Sequence, residues 1–203
     1  TLLEFTSISI SLEKHFIANC TSLTHIIISC HNDLNIHSDT FEGCKSIINL
    51  KLSTLSTLKL ESNCLKDLIN LQNIELESSV LDIRDDCFNN CLVLKFITIK
   101  TESDATFHEN FLSECEYIEN ITITSKSTLN LGKKFLNESK VKNVYIEGKE
   151  IFIEDNCFNN CPLLNYFTIA HFRNVEIGKK LFSNCEKLEN IIEKTTENGG
   201  VAY

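Results

Sequence analysis

Apolar residues recur in this chain in a fixed figure rather than as isolated runs. The short motif FxxC appears as FEGC at 41–44, FNNC at 88–91, FNNC at 158–161 and FSNC at 182–185. Allowing Leu or Ile for Phe adds IANC at 17–20 and LSEC at 112–115. Relaxing Cys as well adds LKDL at 65–68 and LNES at 136–139. The eight first positions, Ile17, Phe41, Leu65, Phe88, Leu112, Leu136, Phe158 and Phe182, are separated by 24, 24, 23, 24, 24, 22 and 24 residues. About six residues after each start comes an LxxIxI pattern, as in Leu23/Ile26/Ile28, Leu94/Ile97/Ile99 and Leu164/Phe167/Ile169. Its period of two predicts a strand with one buried face. A second alternation precedes each motif: Ile10/Leu12, Leu34/Ile36, Leu58/Leu60, Leu81/Ile83, Ala105/Phe107, Leu129/Leu131, Ile151/Ile153 and Val175/Ile177. It predicts another short strand per unit. The motif itself is expected to form a turn or short helix that sends Phe and Cys inward, the Cys as a small apolar plug.

A unit of about 24 residues cannot bury its own apolar face, whereas stacked units share one continuous core. The prediction is a right-handed repeat solenoid of about eight units of 22–24 residues, a single domain over residues 1–195 followed by a polar tail or linker at 196–203. Each unit contributes a strand to a parallel concave sheet, a second short strand and the turn. Leu3 and Phe5 fit the tail of one more main strand, so the chain is expected to start inside a unit and to be part of a longer array.

Composition narrows the function classes. Of 203 residues, 19 are Lys or Arg and 28 are Asp or Glu, a formal net charge of −9. There is no basic stripe of the kind that binds nucleic acid, and the acidic balance disfavours an anionic membrane surface. No apolar run reaches the ~18 residues of a membrane-spanning helix.

The chemistry-bearing residues follow the repeat. Six of the ten cysteines (Cys20, Cys44, Cys91, Cys115, Cys161 and Cys185) occupy its Cys position, which Leu68 and Ser139 fill elsewhere. That is a packing role. Cys64, Cys87 and Cys157 sit just before the Phe position and are expected to be partly exposed. No histidine shares a repeated position with the cysteines, so no four-ligand metal site is expected. Disulfides remain open if the protein is secreted. Three glycosylation sequons, at Asn19, Asn120 and Asn137, fall within the about four that an Asn-, Ser- and Thr-rich chain contains by chance. The six histidines are scattered, no nucleophile–base order stands out, and an open sheet does not converge groups on a pocket. No enzyme activity and no cofactor are expected.

The outward residues of the main strands form two rows. The first is His25, Asn49, Asn73, Phe96, Asn120, Asn143, Tyr166 and Asn190; the second is Ile27, Lys51, Glu75, Thr98, Thr122, Tyr145, Thr168 and Ile192. The first row reads as a line of amides, and the whole as a solvated face or a concave binding face. The candidate ligand-binding set is Phe96, Thr98, Asn120, Thr122, Asn143, Tyr145, Tyr166 and Thr168. Phe96, Tyr145, Tyr166 and Thr168 make an expected patch in which Tyr166 is the leading interface anchor.

LxxIxI, then IxI, then FxxC at 22–24-residue steps resembles the leucine-rich repeat superfamily, and most closely its BspA-like (Treponema-type) class, whose units read roughly LxxIxIPxxVxxIGxxAFxxC. The resemblance spans about residues 3–192. The Pro after the main strand is missing, and the IG step survives best at Leu131-Gly132 and Ile177-Gly178. It implies a non-enzymatic recognition module, at the cell surface or secreted, that binds a protein or a glycan through the concave sheet, with adhesion as the family's frequent role. The alternative is an intracellular scaffold or adaptor using the same face.

Overall fold

The computed structural model describes residues 1–113 and 115–195. The tail expected at 196–203 lies outside the described residues. Fifteen strands follow one another: β1 (Leu2–Ser7), β2 (Ile10–Leu12), β3 (His25–Cys30), β4 (Leu34–Ile36), β5 (Asn49–Thr54), β6 (Thr57–Leu60), β7 (Asn73–Ser78), β8 (Val80–Ile83), β9 (Phe96–Thr101), β10 (Ala105–Phe107), β11 (Asn120–Ser125), β12 (Thr128–Leu131), β13 (Asn143–Ile153), β14 (Tyr166–Ile177) and β15 (Asn190–Thr195). The main strands β1, β3, β5, β7, β9, β11 and β13 pair in that order, all parallel. The short strands form a second parallel layer, β2-β4-β6-β8-β10-β12. In β13 and β14 the two layers join, because each strand runs through the corner without a break. We call each coil, from main strand through motif, a rung: rung 1 holds β1, β2 and Ile17, and rung 8 holds β14 and Phe182. The architecture is a parallel β-solenoid with the repeat read from the sequence.

The motif segments are turns; no helix occurs among the described residues. Backbone conformation explains why. Two residues before the aligned Phe position the chain is left-handed in every rung, at His15, Asp39, Asn63, Asp86, Asn110, Lys134, Asn156 and Lys180. Two residues after it the chain is left-handed again, at Asn19, Gly43, Asp67, Asn90, Glu138, Asn160 and Asn184, with φ between 53° and 75° over both rows. A right-handed helix cannot propagate through a left-handed residue every fourth position. Asn, Asp and Gly hold most of these places because they tolerate that region best. The abundance of Asn in FNNC is therefore partly a conformational requirement. Asn184 also donates to Asn160 (2.6 Å), and Asn90 to Asp67 (2.7 Å), tying adjacent turns together.

This turn buries two consecutive positions, not one. Cys64, Cys87 and Cys157, expected to be partly exposed, are fully buried, because the flanking left-handed residues turn the position before Phe inward as well. Phe uses either place. Rungs 4 and 7 carry Cys87-Phe88 and Cys157-Phe158, whereas rungs 5 and 6 carry Phe111-Leu112 and Phe135-Leu136. The rings still fall into one spine: Phe88–Phe111 5.4 Å, Phe111–Phe135 4.9 Å, Phe135–Phe158 5.6 Å and Phe158–Phe182 6.0 Å between centroids. Each such pair adds about 0.5–1.5 kcal/mol beyond the area it buries.

The repeated cysteines are more than apolar plugs. Cys44, Cys91, Cys161 and Cys185 each donate their thiol to the carbonyl of the aligned Phe-position residue one rung earlier, at 2.8, 3.3, 3.0 and 3.0 Å. The left-handed turn leaves that carbonyl pointing along the stack, where a small weak donor satisfies it. Gly132 and Gly178, the survivors of the IG step, are steric. A Cβ on Gly132 would lie 2.5 Å from the Phe107 carbonyl oxygen, and one on Gly178 would lie 2.6 Å from the Glu154 carbonyl carbon.

Candidate functional site

The strand register puts all eight candidate residues on the outer face of the main sheet. Phe96, Asn120, Asn143 and Tyr166 are neighbours in one row; Thr98, Thr122, Tyr145 and Thr168 are neighbours in the next. Successive members stand one strand spacing apart, about 4.8 Å. Burial alternates along each strand, so the inward Ile and Val residues hold the sheet and the outward ones are free to differ. Phe96 is 42 % exposed and Tyr166 49 %. They stand three strands apart in the row; of the expected patch, Tyr145 is opposite Thr168 on the strand next to Tyr166, while Phe96 lies two strands from Tyr145. Tyr145 is half-buried, and its hydroxyl donates to Glu147 Oε2 at 2.6 Å. Burial and that carboxylate push its phenol up to about 12.

The row of amides is hydrogen-bonded in pairs. Asn73 Nδ2 donates to Asn49 Oδ1 at 2.5 Å, and Asn143 Nδ2 donates to Asn120 Oδ1 at 2.8 Å. Both pairs point the same way along the stack. Across rungs 5–8 the two rows hold Phe, Tyr, Thr and Asn and no formal charge. The N-terminal half carries the Lys51–Glu75 ion pair (2.8 Å).

One hollow on this face lies mostly outside the candidate set. A groove of about 490 Å³ lies over rungs 2–5, lined by His25, Asn49, Lys51, Asn73, Glu75, Phe96 and Thr98 among others. Only Phe96 and Thr98 belong to the candidate set. The other outward lining residues were visible as members of the two rows, but nothing in the residue types showed which rungs are recessed. Two further hollows are one of about 440 Å³ on the second layer, lined by Gly132, Asn130 and Phe152 among others, and one of about 530 Å³ where the main-sheet face meets the corner, near Lys100, Lys126, Lys149 and Phe172.

The titratable groups stay dispersed. His15, His37, His108 and His171 each pair with a different carboxylate, Glu42, Glu13, Asp82 and Glu193. Among the described residues no three His, Cys, Asp or Glu side chains converge as a metal site. Burial pushes the Cys87 and Cys91 thiols well up and Cys157 up to about 12. Cys185 is the exception: the neighbouring Cys161 side chain brings it down to about 7 against the opposing effect of burial. Among the described residues no helix is long and apolar enough to cross a membrane.

Comparison with curated proteins and with solved structures found no match. The family model for the BspA-type leucine-rich repeat region matches in six copies, over residues 1–115 and 98–198. The period, the two strand layers and the FxxC turn are thus those of a known repeat class, and this chain belongs to the BspA-type leucine-rich repeat family.

Proposed function

We propose that the chain is a non-enzymatic recognition module that binds a protein partner through the outer face of the main sheet, in cell-surface interaction or adhesion. The observation that carries this is the uncharged stretch of the two outward rows over rungs 5–8, in which Phe96 and Tyr166 stand exposed on a rigid sheet. Exposed aromatics on a rigid support are typical interface anchors, since they lose little conformational freedom on binding. Family membership supports an interaction role. The test is a panel of immobilised extracellular proteins and glycans probed with the wild type, Phe96→Ala/Tyr166→Ala and a control on the second layer, Asn35→Ala/Lys59→Ala. Protein hits weakened at least about tenfold by the first pair and unchanged by the second support the reading. Hits indifferent to the first pair overturn it, and hits confined to glycans replace the protein partner.

An intracellular scaffold using the same face is the second reading. It is favoured by Cys44, Cys91, Cys161 and Cys185, whose thiols are engaged as donors to backbone carbonyls, a role that oxidation would abolish. Intact mass of the native protein, with and without thiol alkylation and glycosidase treatment, separates the two. Attached glycan or paired cysteines favour the surface; free thiols without glycan favour the scaffold.

A further inference from the structure

Within the face just proposed, the hydrogen bonds of the amide row single out two rungs. Asn73 spends its amino group on Asn49, which leaves its Oδ1 facing the Phe96 rung. Asn120 accepts from Asn143 through Oδ1, which leaves its amino group facing that rung from the other side. Phe96 is thus flanked by one free acceptor and one free donor, each about 4.8 Å away. Reversing both pairs would exchange the two roles and keep one of each. The Phe96 ring interrupts the run of amides from Asn49 to Asn143. The group that completes the ladder above the ring is another carboxamide, with its N–H on Asn73 and its C=O on Asn120.

The same figure recurs three strands on. There Tyr166 lies between Asn143, whose Oδ1 is free on that side, and Asn190. Three strand spacings are about 14 Å, and four residues of an extended peptide also span about 14 Å, with residues i and i+4 on one side of the strand. Hence we propose that the face takes an extended segment of a protein partner laid along the solenoid axis, with Asn or Gln side chains at i and i+4. One carboxamide stacks on Phe96 and the other on Tyr166, and a small residue at i+2 passes over the Asn120–Asn143 pair. The two rows beneath the segment hold no formal charge over these rungs, Lys100 and Glu147 lying in the next outward row, which suits neutral amides and disfavours Glu or Lys in the same places, because a charge there would lose hydration without a counter-charge in the rows it covers. This inference rests on the reading of the main-sheet face as the binding surface and names the chemistry it recognises.

The experiment uses the whole chain and blocked synthetic peptides of Ser and Thr, followed by fluorescence anisotropy. One peptide carries Gln at i and i+4, one carries Gln at i and i+3, and one carries Glu at i and i+4. The i,i+4 diglutamine peptide is expected to bind at least about tenfold tighter than either other, because only it engages both rungs at once. Asn73→Ala/Asn120→Ala, checked for an unchanged urea midpoint, is expected to erase that preference. No measurable binding by any peptide, equal binding by all three, or a preference that survives in Asn73→Ala/Asn120→Ala overturns the inference. Panel hits that depend on Phe96 and Tyr166 but are not displaced by the diglutamine peptide overturn it while leaving the face-level reading intact.

Discussion

The interchange of Phe between two adjacent positions supports a quantitative test. Phe111 is fully buried, with centroids 5.4, 4.7 and 4.9 Å from Phe88, Phe107 and Phe135. Phe111→Cys removes the ring from the spine, at a cost of about 3 kcal/mol, the lower end of the range for emptying a buried Phe site. Leu112→Phe adds a ring beside one already present and costs about 1–3 kcal/mol through overpacking. The double variant, however, writes Cys-Phe into rung 5, the arrangement of rung 7. The backbone there is compatible, since φ is 55° at Leu112 and 53° at Phe158. The ring then re-enters the spine from the next position. The double variant is therefore expected within about 1.5 kcal/mol of the wild type, against about 4–6 for the sum of the single changes, a coupling of about 2.5 kcal/mol or more. Urea unfolding followed by far-UV circular dichroism reads this, with constant slope as the check that the transition remains comparable. Additive single and double effects would refute the claim that both positions address one site.

Three further outcomes follow from the turn and the thiols. Asn160→Ala is expected to be about 1 kcal/mol less stable than Asn160→Gly, because both lose the bond from Asn184 but only Ala pays the left-handed penalty at φ 56°; equal effects in a urea titration would contradict the conformational role of Asn. Gly132→Ala is expected to cost about 2–3 kcal/mol by thermal unfolding, since the new methyl meets backbone and not a mobile side chain, and an unchanged midpoint would refute the close approach. Alkylation of Cys185, mapped by peptide mass, is expected to be half-maximal near pH 7 and to move toward 9 in Cys161→Ala, which removes the side chain that lowers it; a wild-type profile already near 9 would refute that influence. The sign is that of a depressed acid: the thiolate is populated above about 7 and lost as pH falls through that value.

Much of the fold was legible because two local signals coincide. Ile97 and Ile99, or Leu129 and Leu131, alternate with polar residues, which marks a one-sided strand. Their recurrence every 22–24 residues then forces parallel in-register stacking, since a one-residue slip would turn every apolar side chain outward. The turn was less legible. Alignment on Phe concealed that Phe111 and Phe135 stand one place earlier, and a small Cys at 64, 87 and 157 gives no indication of which way its side chain points. The marker was present in the Asn, Asp and Gly residues two places either side, but it has meaning only once their φ values are known.

By itself, then, the sequence determined the repeat, the two strands per rung, the inward Phe and Cys and the identity of the outward rows. All of these depend on periodicity, which is written in one dimension. Tertiary structure alone decided that the groove lies over rungs 2–5, that Phe and Cys share two interchangeable places, that thiols serve as donors to carbonyls one rung away and that the amides bond in pairs around Phe96. Each of these is a relation between residues about 24 positions apart, set by how closely and at what angle one rung lies on the next.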